Sequence, residues 1–309
     1  MFHIRSRVIR LSQWLRKRLA LALMPLDIRR ALEPAFRANS REEVSRLNSE
    51  SLGALVRLYA HAIEKAVSLP SFDATRGQQK VRFLKSMLSA TRDHGVDPGT
   101  VAWAENMLRL YEHRLSENSL PLQESSAVSH CAEWRDCLLN IVKSRRSTRF
   151  FKSLRVERDA VWRALDIVKY APTSCHRQAV KILITLNPDR ARDCHKCCVG
   201  QSGFGDFIPA FAAICTDSNP YTMPEEYPLL FVDGAICAAF FVLACQTQGV
   251  ATTLMAWISG RGDAENRLRS LLQIPPNYQI VVTCVLGYPE RQTPSPPRKP
   301  LMEWVALVD

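Results

Sequence analysis

"SRRSTRFFKSL", residues 144–154, places four basic side chains (Arg145, Arg146, Arg149, Lys152) and four hydroxyls in eleven positions. It is either a solvated basic turn or a cradle for an anion. A phosphate needs converging donors, best supplied by bidentate guanidinium groups and a hydroxyl. Arg145, Ser147 and Arg149 alternate, and in an extended segment alternate residues project to one side. Charge runs usually face water, so spacing alone favours the solvated turn. The surroundings have to decide.

On either side the chain alternates helical and strand-like texture. "CAEWRDCLLNIVKSR", residues 131–145, reads as a helix leading into the stretch. "VERDAVWRALDIVKYAP", 156–172, reads as a second, with Val161, Leu165 and Val168 inward and Pro172 at its end. The runs "AVKILITL" (179–186), "AFAAICT" (210–216) and "QIVVTCVLGY" (279–288) are rich in β-branched residues and almost continuously apolar. They fit strands buried on both faces. "GAICAAFFVLACQTQG", 234–249, is apolar all round and reads as a buried helix. "GDAENRLRSLLQIPP", 262–276, reads as a helix stopped by Pro275 and Pro276.

The first 130 residues read as helices only. Leu47, Leu52, Leu55, Leu58, Tyr59, Ala62, Ile63 and Ala66 mark one apolar stripe, and Val81, Leu84 and Leu88 a second that stops at Gly95. A third helix starts at Asp97-Pro98 and carries Trp103, Met107 and Leu110. Residues 116–130 are polar and Ser-rich, as in a linker. The expected organisation is therefore an all-helical region, 1–130, followed by an α+β domain, 131–309, with a small mixed or antiparallel sheet flanked by helices.

The 309 residues carry a net charge of +11, from 41 Lys and Arg against 30 Asp and Glu. Such a balance favours anionic partners: nucleic acid, phosphate cofactors or an acidic membrane surface. Residues 1–37 alone hold nine basic side chains against Asp27 and Glu33. Ile4, Val8, Leu11, Leu15 and Leu19 recur at helical spacing among them, so residues 1–30 are expected to lie on anionic membrane. No apolar stretch is read as reaching the roughly 18 to 20 residues of a membrane span. Pro25 and Asp27 close the run 19–26 without a small-residue cleavage site, so no signal peptide is expected. Cysteines in apolar runs point to a reducing, cytoplasmic setting. With no helix-turn-helix, zinc-finger or aromatic-basic motif, nucleic acid is not expected as a partner.

Several shorter features carry weaker signals. "PSPPRKPLMEW" presents Arg298 and Lys299 after two stiffening prolines. "YAPTSCHRQAV", 170–180, joins a helix end to a strand through a polar turn, which suits contact with a planar polar ligand. His61, Glu64 and Lys65 share a helix face; a Lys–Glu surface pair is the plainer reading, a polar site shared with the second domain the functional one. Cys194, His195, Cys197 and Cys198 include a CxxC spacing but lack the second ligand pair of a structural zinc site, so no metal is expected and loop thiols are the plain reading.

Taken in order, "RRSTRFF", "APTSCHRQ", "VGQSGFGDF", "VDGAICAAFFVLACQTQGVATTLMAWI", "RLRSLLQIPPNYQIVVTCVLGYPE" and "RKPL" resemble the nitroreductase family of flavin enzymes from about Cys137 onward. The resemblance implies a nitroreductase-like fold and FMN. It implies phosphate ligands at Arg145, Ser147 and Arg149, closed by Arg298 and Lys299. It puts Pro172, Thr173, Ser174 and Cys175 against the flavin or its ribityl chain across a homodimer interface, and Met255, Ala256 and Trp257 near the ring. It also brings the loop with Gln201, Gly203 and Phe204 toward the flavin. His176 and Ala179 depart from the family, which often has Asn and Pro there, and the missing Pro removes a rigid element of the turn. Separately, "HAIEKAVSLPSFD", 61–73, resembles a segment of long nitroreductase-like proteins encoded with polysaccharide biosynthesis enzymes.

The implied activity is hydride transfer from NADH or NADPH to FMN, then reduction of a small-molecule acceptor such as a quinone, a nitroaromatic or a polysaccharide-linked metabolite. The competing reading is a flavin-fold protein that has lost catalysis and serves at a membrane surface or in complex assembly.

Overall fold

The computed structural model of the chain describes residues 47–69, 72, 77–117, 131–258, 262–291 and 294–308. Three helices come first: α1 (Ser49–Val67), α2 (Gln78–His94) and α3 (Pro98–Glu117). Their ends follow local chemistry. The Asn48 side chain accepts the Ser51 amide at the head of α1, and Asp97 accepts the Thr100 amide, at 2.8 Å, at the head of α3. α2 stops at Gly95, whose φ of 63° is left-handed. The three helices close around Leu52, Leu55, Ile63, Leu84 and Met107, which belong to the expected stripes. The basic N-terminus and most of the expected linker lie outside the described residues.

The second part contains α4 (Ala132–Ser144), α5 (Arg158–Val168), α6 (Pro188–Lys196), α7 (Tyr227–Thr247) and α8 (Asp263–Leu272). Four strands, β1 (Val180–Thr185), β2 (Ala210–Asp217), β3 (Ala251–Ala256) and β4 (Tyr278–Gly287), form one antiparallel sheet in the order β1-β2-β4-β3. The class is α+β, as the sequence indicates. β2 shows why its run is continuously apolar. Ala210, Ala212 and Ile214 face the layer of α5 and α7, while Phe211, Ala213 and Cys215 face that of α6 and α8. Both faces are covered, so neither phase of the period-two alternation stays polar.

Four expectations need correction. β3 was not expected; its Thr252 and Thr253 are buried by the chain at 147–148, which no local pattern reveals. α6 replaces an expected loop: Asn187 caps it, accepting the Arg190 amide, and Pro188 occupies its first turn. Consequently Cys194, Cys197 and Cys198 are core residues and not loop thiols. Burial pushes the Cys194 thiol up to about 12, which makes it a poor nucleophile. Third, α7 begins at Tyr227, seven residues earlier than the apolar run suggests, and by length and composition it is long enough to span a membrane. Half of that apolar window is buried against the protein. Fourth, the rest of α7 is not enclosed, as Val232 at 47% exposure shows.

Candidate flavin site

Residues 145–152 run extended between two partners. Arg145 leaves α4 with φ −62° and ψ 131°. Ser147 bridges Thr252 of β3, the Thr148 amide donates to the Thr252 carbonyl, and the Thr253 hydroxyl donates to the Thr148 carbonyl at 2.6 Å. Beyond these, Gly205 N–H donates to the Arg149 carbonyl, and Lys152 N–H to the Tyr288 carbonyl. Phe151 is buried against Gly287, where a Cβ would lie 2.6 Å from the ring. The backbone of this stretch is therefore held on both sides of Phe150.

The arginines of this segment divide into two kinds. Arg146 turns back, its guanidinium donating to the carbonyls of Lys143 and Arg145 at the end of α4. Arg145 is half-buried and Arg149 exposed, and among the described residues neither has a carboxylate partner. Arg145 reaches far enough inward to oppose the burial that raises the Cys284 thiol. A half-buried guanidinium without an anion is costly, and a bound phosphate would offset that cost.

Phe204, in the loop after α6, meets His195 edge to face with ring centroids 4.5 Å apart. That loop therefore lies beside Arg149, as Gly205 shows. Past the far end of β3, Trp257 packs partly into the core, and among the described residues its buried indole N–H has no partner. Ala256 is exposed, but the Met255 side chain is 4% exposed and points into the core. Met255 thus cannot offer its side chain to a ligand.

The turn at residues 172–178 is built differently. Cys175, His176 and Gln178 have φ of 51°, 56° and 51°. Each such non-glycine residue costs of the order of 1 kcal/mol or more. Buried side chains hold the turn. Asp233, the one charged residue of α7, is 1% exposed and accepts from the Ser174 amide (2.8 Å), the Ser174 hydroxyl (2.7 Å) and the Tyr221 hydroxyl (2.6 Å). Burial and the Asp233 charge push Tyr221 far up, so it remains a donor. Arg177 is fully buried. It donates to the carbonyls of Pro220 and Ser174, pairs with Glu226 and lies over the Tyr221 ring. Thr173 Oγ1 accepts the Gln178 amide. Of these, Asp233, Tyr221, Arg177 and Glu226 were not singled out in the sequence. The lone acid in an apolar helix was the only signal available.

Helices α1 and α3 close on the same turn. The His176 ring meets Trp103 at 5.2 Å and His61 at 6.4 Å. His61 bonds Glu64 at 2.8 Å, so the surface pair of this helix face is His–Glu and not the expected Lys–Glu. Partial burial, with the charges of His61 and Arg57, lowers the His176 pKa.

Arg298 and Lys299 lie on an exposed tail. Residues 294–308 are exposed throughout, and Lys299 donates to the Glu303 carbonyl. The structure brings Arg145, Ser147 and Arg149 to β3 and the Phe204 loop, while Thr173 and Ser174 bond Gln178 and Asp233. A cavity of about 380 Å³ lies elsewhere, at the seam of α1 with β1 and β4. Two of its charges pair with each other, Glu50 with Lys181, and Glu50 also accepts from the Tyr278 hydroxyl. It contains none of the expected ligands, and no group of three or more potential metal ligands occurs among the described residues.

The second part of the chain is similar to known proteins. The profile of the nitroreductase family matches residues 142–196 and 198–288, a little under half of the chain. An Archaeoglobus fulgidus protein bearing the name NADH dehydrogenase/NAD(P)H nitroreductase is 24% identical over 153 residues, covering 49% of this chain and 85% of that protein. Solved structures similar to this chain include an FMN-dependent nitroreductase from Clostridium difficile R20291 (19% identity, TM-score 0.48, 55% of this chain and 99% of that one). A nitroreductase-like protein from Streptococcus mutans is another (17% identity, TM-score 0.49, 57% and 100%). The profile spans the extended basic segment, the strained turn and all four strands, so residues 142–288 are similar to the nitroreductase family along that whole stretch.

Proposed function

We propose that the protein is an FMN-dependent oxidoreductase of nitroreductase type, taking hydride from NADH or NADPH and reducing a small-molecule acceptor in a ping-pong cycle. The observation that carries this reading is Arg145. Arg145 is half-buried on an extended segment and, among the described residues, meets no carboxylate; it is next to exposed Arg149 and to Ser147. These three would hold the phosphate, and Ala256 and Trp257 would approach the ring. Bound FMN would supply the hydride-accepting centre, while the chain supplies position and water exclusion. The acceptor is proposed at the level of its class: a quinone, a nitroaromatic or a metabolite linked to polysaccharide production, the last resting on the resemblance of residues 61–73.

The active form is proposed to be a homodimer in a reducing, cytoplasmic setting. α4 has no buried residue, and Trp134 (62%), Leu138 (57%) and Val142 (46%) lie open along it. One side of α7 and the tail with Leu301, Met302 and Trp304 are open as well. Apolar surface on two helices and a tail calls for a partner, and a second copy would bring its turn at 172–175 and its Arg298 and Lys299 to the site. Residues 1–30 are proposed to rest on anionic membrane, which vesicle co-sedimentation with and without them tests.

The decisive measurement is the absorbance of the purified protein reconstituted with FMN, followed by NADH or NADPH without oxygen. Bound flavin that bleaches is the expected result; absence of bound flavin would sink the reading. Flavin that binds but is reduced by neither nicotinamide would favour the assembly role instead.

A further inference from the structure

Helices α1 and α3 lie outside the family match, yet they grip the strained turn. Arg57 Nε donates to the Arg177 carbonyl at 3.0 Å, and its Nη1 donates to Thr100 on α3 at 3.1 Å. One side chain thus ties α1, α3 and the turn together. The carbonyl it holds is well chosen mechanically. Arg177 has φ −61° between left-handed His176 and Gln178, so fixing its peptide fixes the reversal of backbone hand on either side. Trp103 adds an edge-to-face contact on His176. Ala179 has no ring to fix its own φ; it is buried in a cluster with Ala54 of α1, Tyr221 and Leu230.

We propose that the helical region is the positioning element of this turn: Arg57 and Trp103 hold residues 173–178 in the shape that presents Thr173, Ser174 and Cys175 to the flavin. Both are positioning residues, acting through the Arg177 carbonyl and the His176 ring. The proposal rests on the FMN reading above, and the experiment separates the two.

The test uses the full chain and the variants Arg57→Met, which keeps the stem without the donors, Arg57→Lys and Trp103→Leu. The amides of Ser174, His176, Arg177 and Gln178 are all hydrogen-bonded within or beneath the turn, so hydrogen exchange reads its opening directly. Arg57→Met should speed exchange at 173–178 and weaken FMN binding, each by about tenfold, the loss of one hydrogen bond to a charged donor, with β2 unchanged. Arg57→Lys should recover part of both. If Arg57→Met does not fold, Trp103→Leu gives the same two readouts. Unchanged exchange in a folded variant overturns the proposal and leaves the FMN reading intact. Faster exchange with unaltered FMN affinity also overturns it. A wild-type chain that binds no FMN removes the FMN reading, and the flavin role of the brace with it.

Discussion

The extended segment at 145–152 and the turn at 172–178 are the two parts of the proposed site, and they are held by opposite means. The segment is unstrained and fixed by its backbone: Thr148, Lys152 and the Arg149 and Phe150 carbonyls pair with neighbouring main chain, which leaves Arg145 and Arg149 to a ligand. The turn is strained and fixed by side chains reaching in from α1, α7 and the residues before α7. A backbone-held element can change its side chains without losing its shape. A side-chain-held one cannot.

That contrast breaks first at Asp233. Asp233→Ala leaves the Ser174 amide, the Ser174 hydroxyl and the Tyr221 hydroxyl without their acceptor, which should cost about 3 kcal/mol or more. Urea unfolding of the purified variant measures it, and a loss under about 1 kcal/mol would mean that the turn does not depend on this brace.

Arg145→Ala combined with Arg149→Ala probes the other side. Unfolding stability should stay near wild type, while FMN affinity, followed by fluorescence titration, falls by about 100-fold, the loss of two charge-assisted contacts. Lys152→Ala should leave affinity unchanged. Equal effects of the three would return the segment to a general basic patch.

A backbone-held segment should instead be sensitive to its backbone neighbours. Gly287→Ala drives a methyl into Phe151 and Pro209, both 2.6 Å from the added atom. Overpacking of this kind costs about 1–3 kcal/mol, and should weaken FMN through the displaced segment although no ligand group has changed. A thermal melt at wild-type temperature would show that the segment has room to move.

The smallest expected effect is a pH slope. His176 in the turn and His195 beside Phe204 both titrate below their ordinary value of 6.5 because burial disfavours the charged ring. The unfolded chain then binds more protons, so stability should fall as pH drops below about 6.5. His176→Gln should flatten that slope in melts between about pH 7.5 and 5.5; an unchanged slope would place the titration elsewhere.

Much of this was legible along the chain. The extended course of the segment could be read locally, because extension is a local property with a period of two. Three of four strands were visible because a strand buried on both faces has to be apolar throughout. β3 was hidden, since Thr252 and Thr253 are covered in part by a segment more than a hundred residues earlier. Met255 looked like a ligand until the pleat turned it inward. Arg57, Arg177, Tyr221 and Asp233 gave no local pattern, because they meet only when α1, the turn and α7 pack together.

The sequence by itself determined the α+β class, the helical start and the basic segment, because periodicity and residue chemistry act over a few neighbours. Tertiary structure alone decided which arginines stay available, which way β3 points its side chains and what holds the turn. Those depend on burial and on hydrogen bonds between residues up to 120 positions apart, and a buried polar group shows its purpose only when its partner is in place.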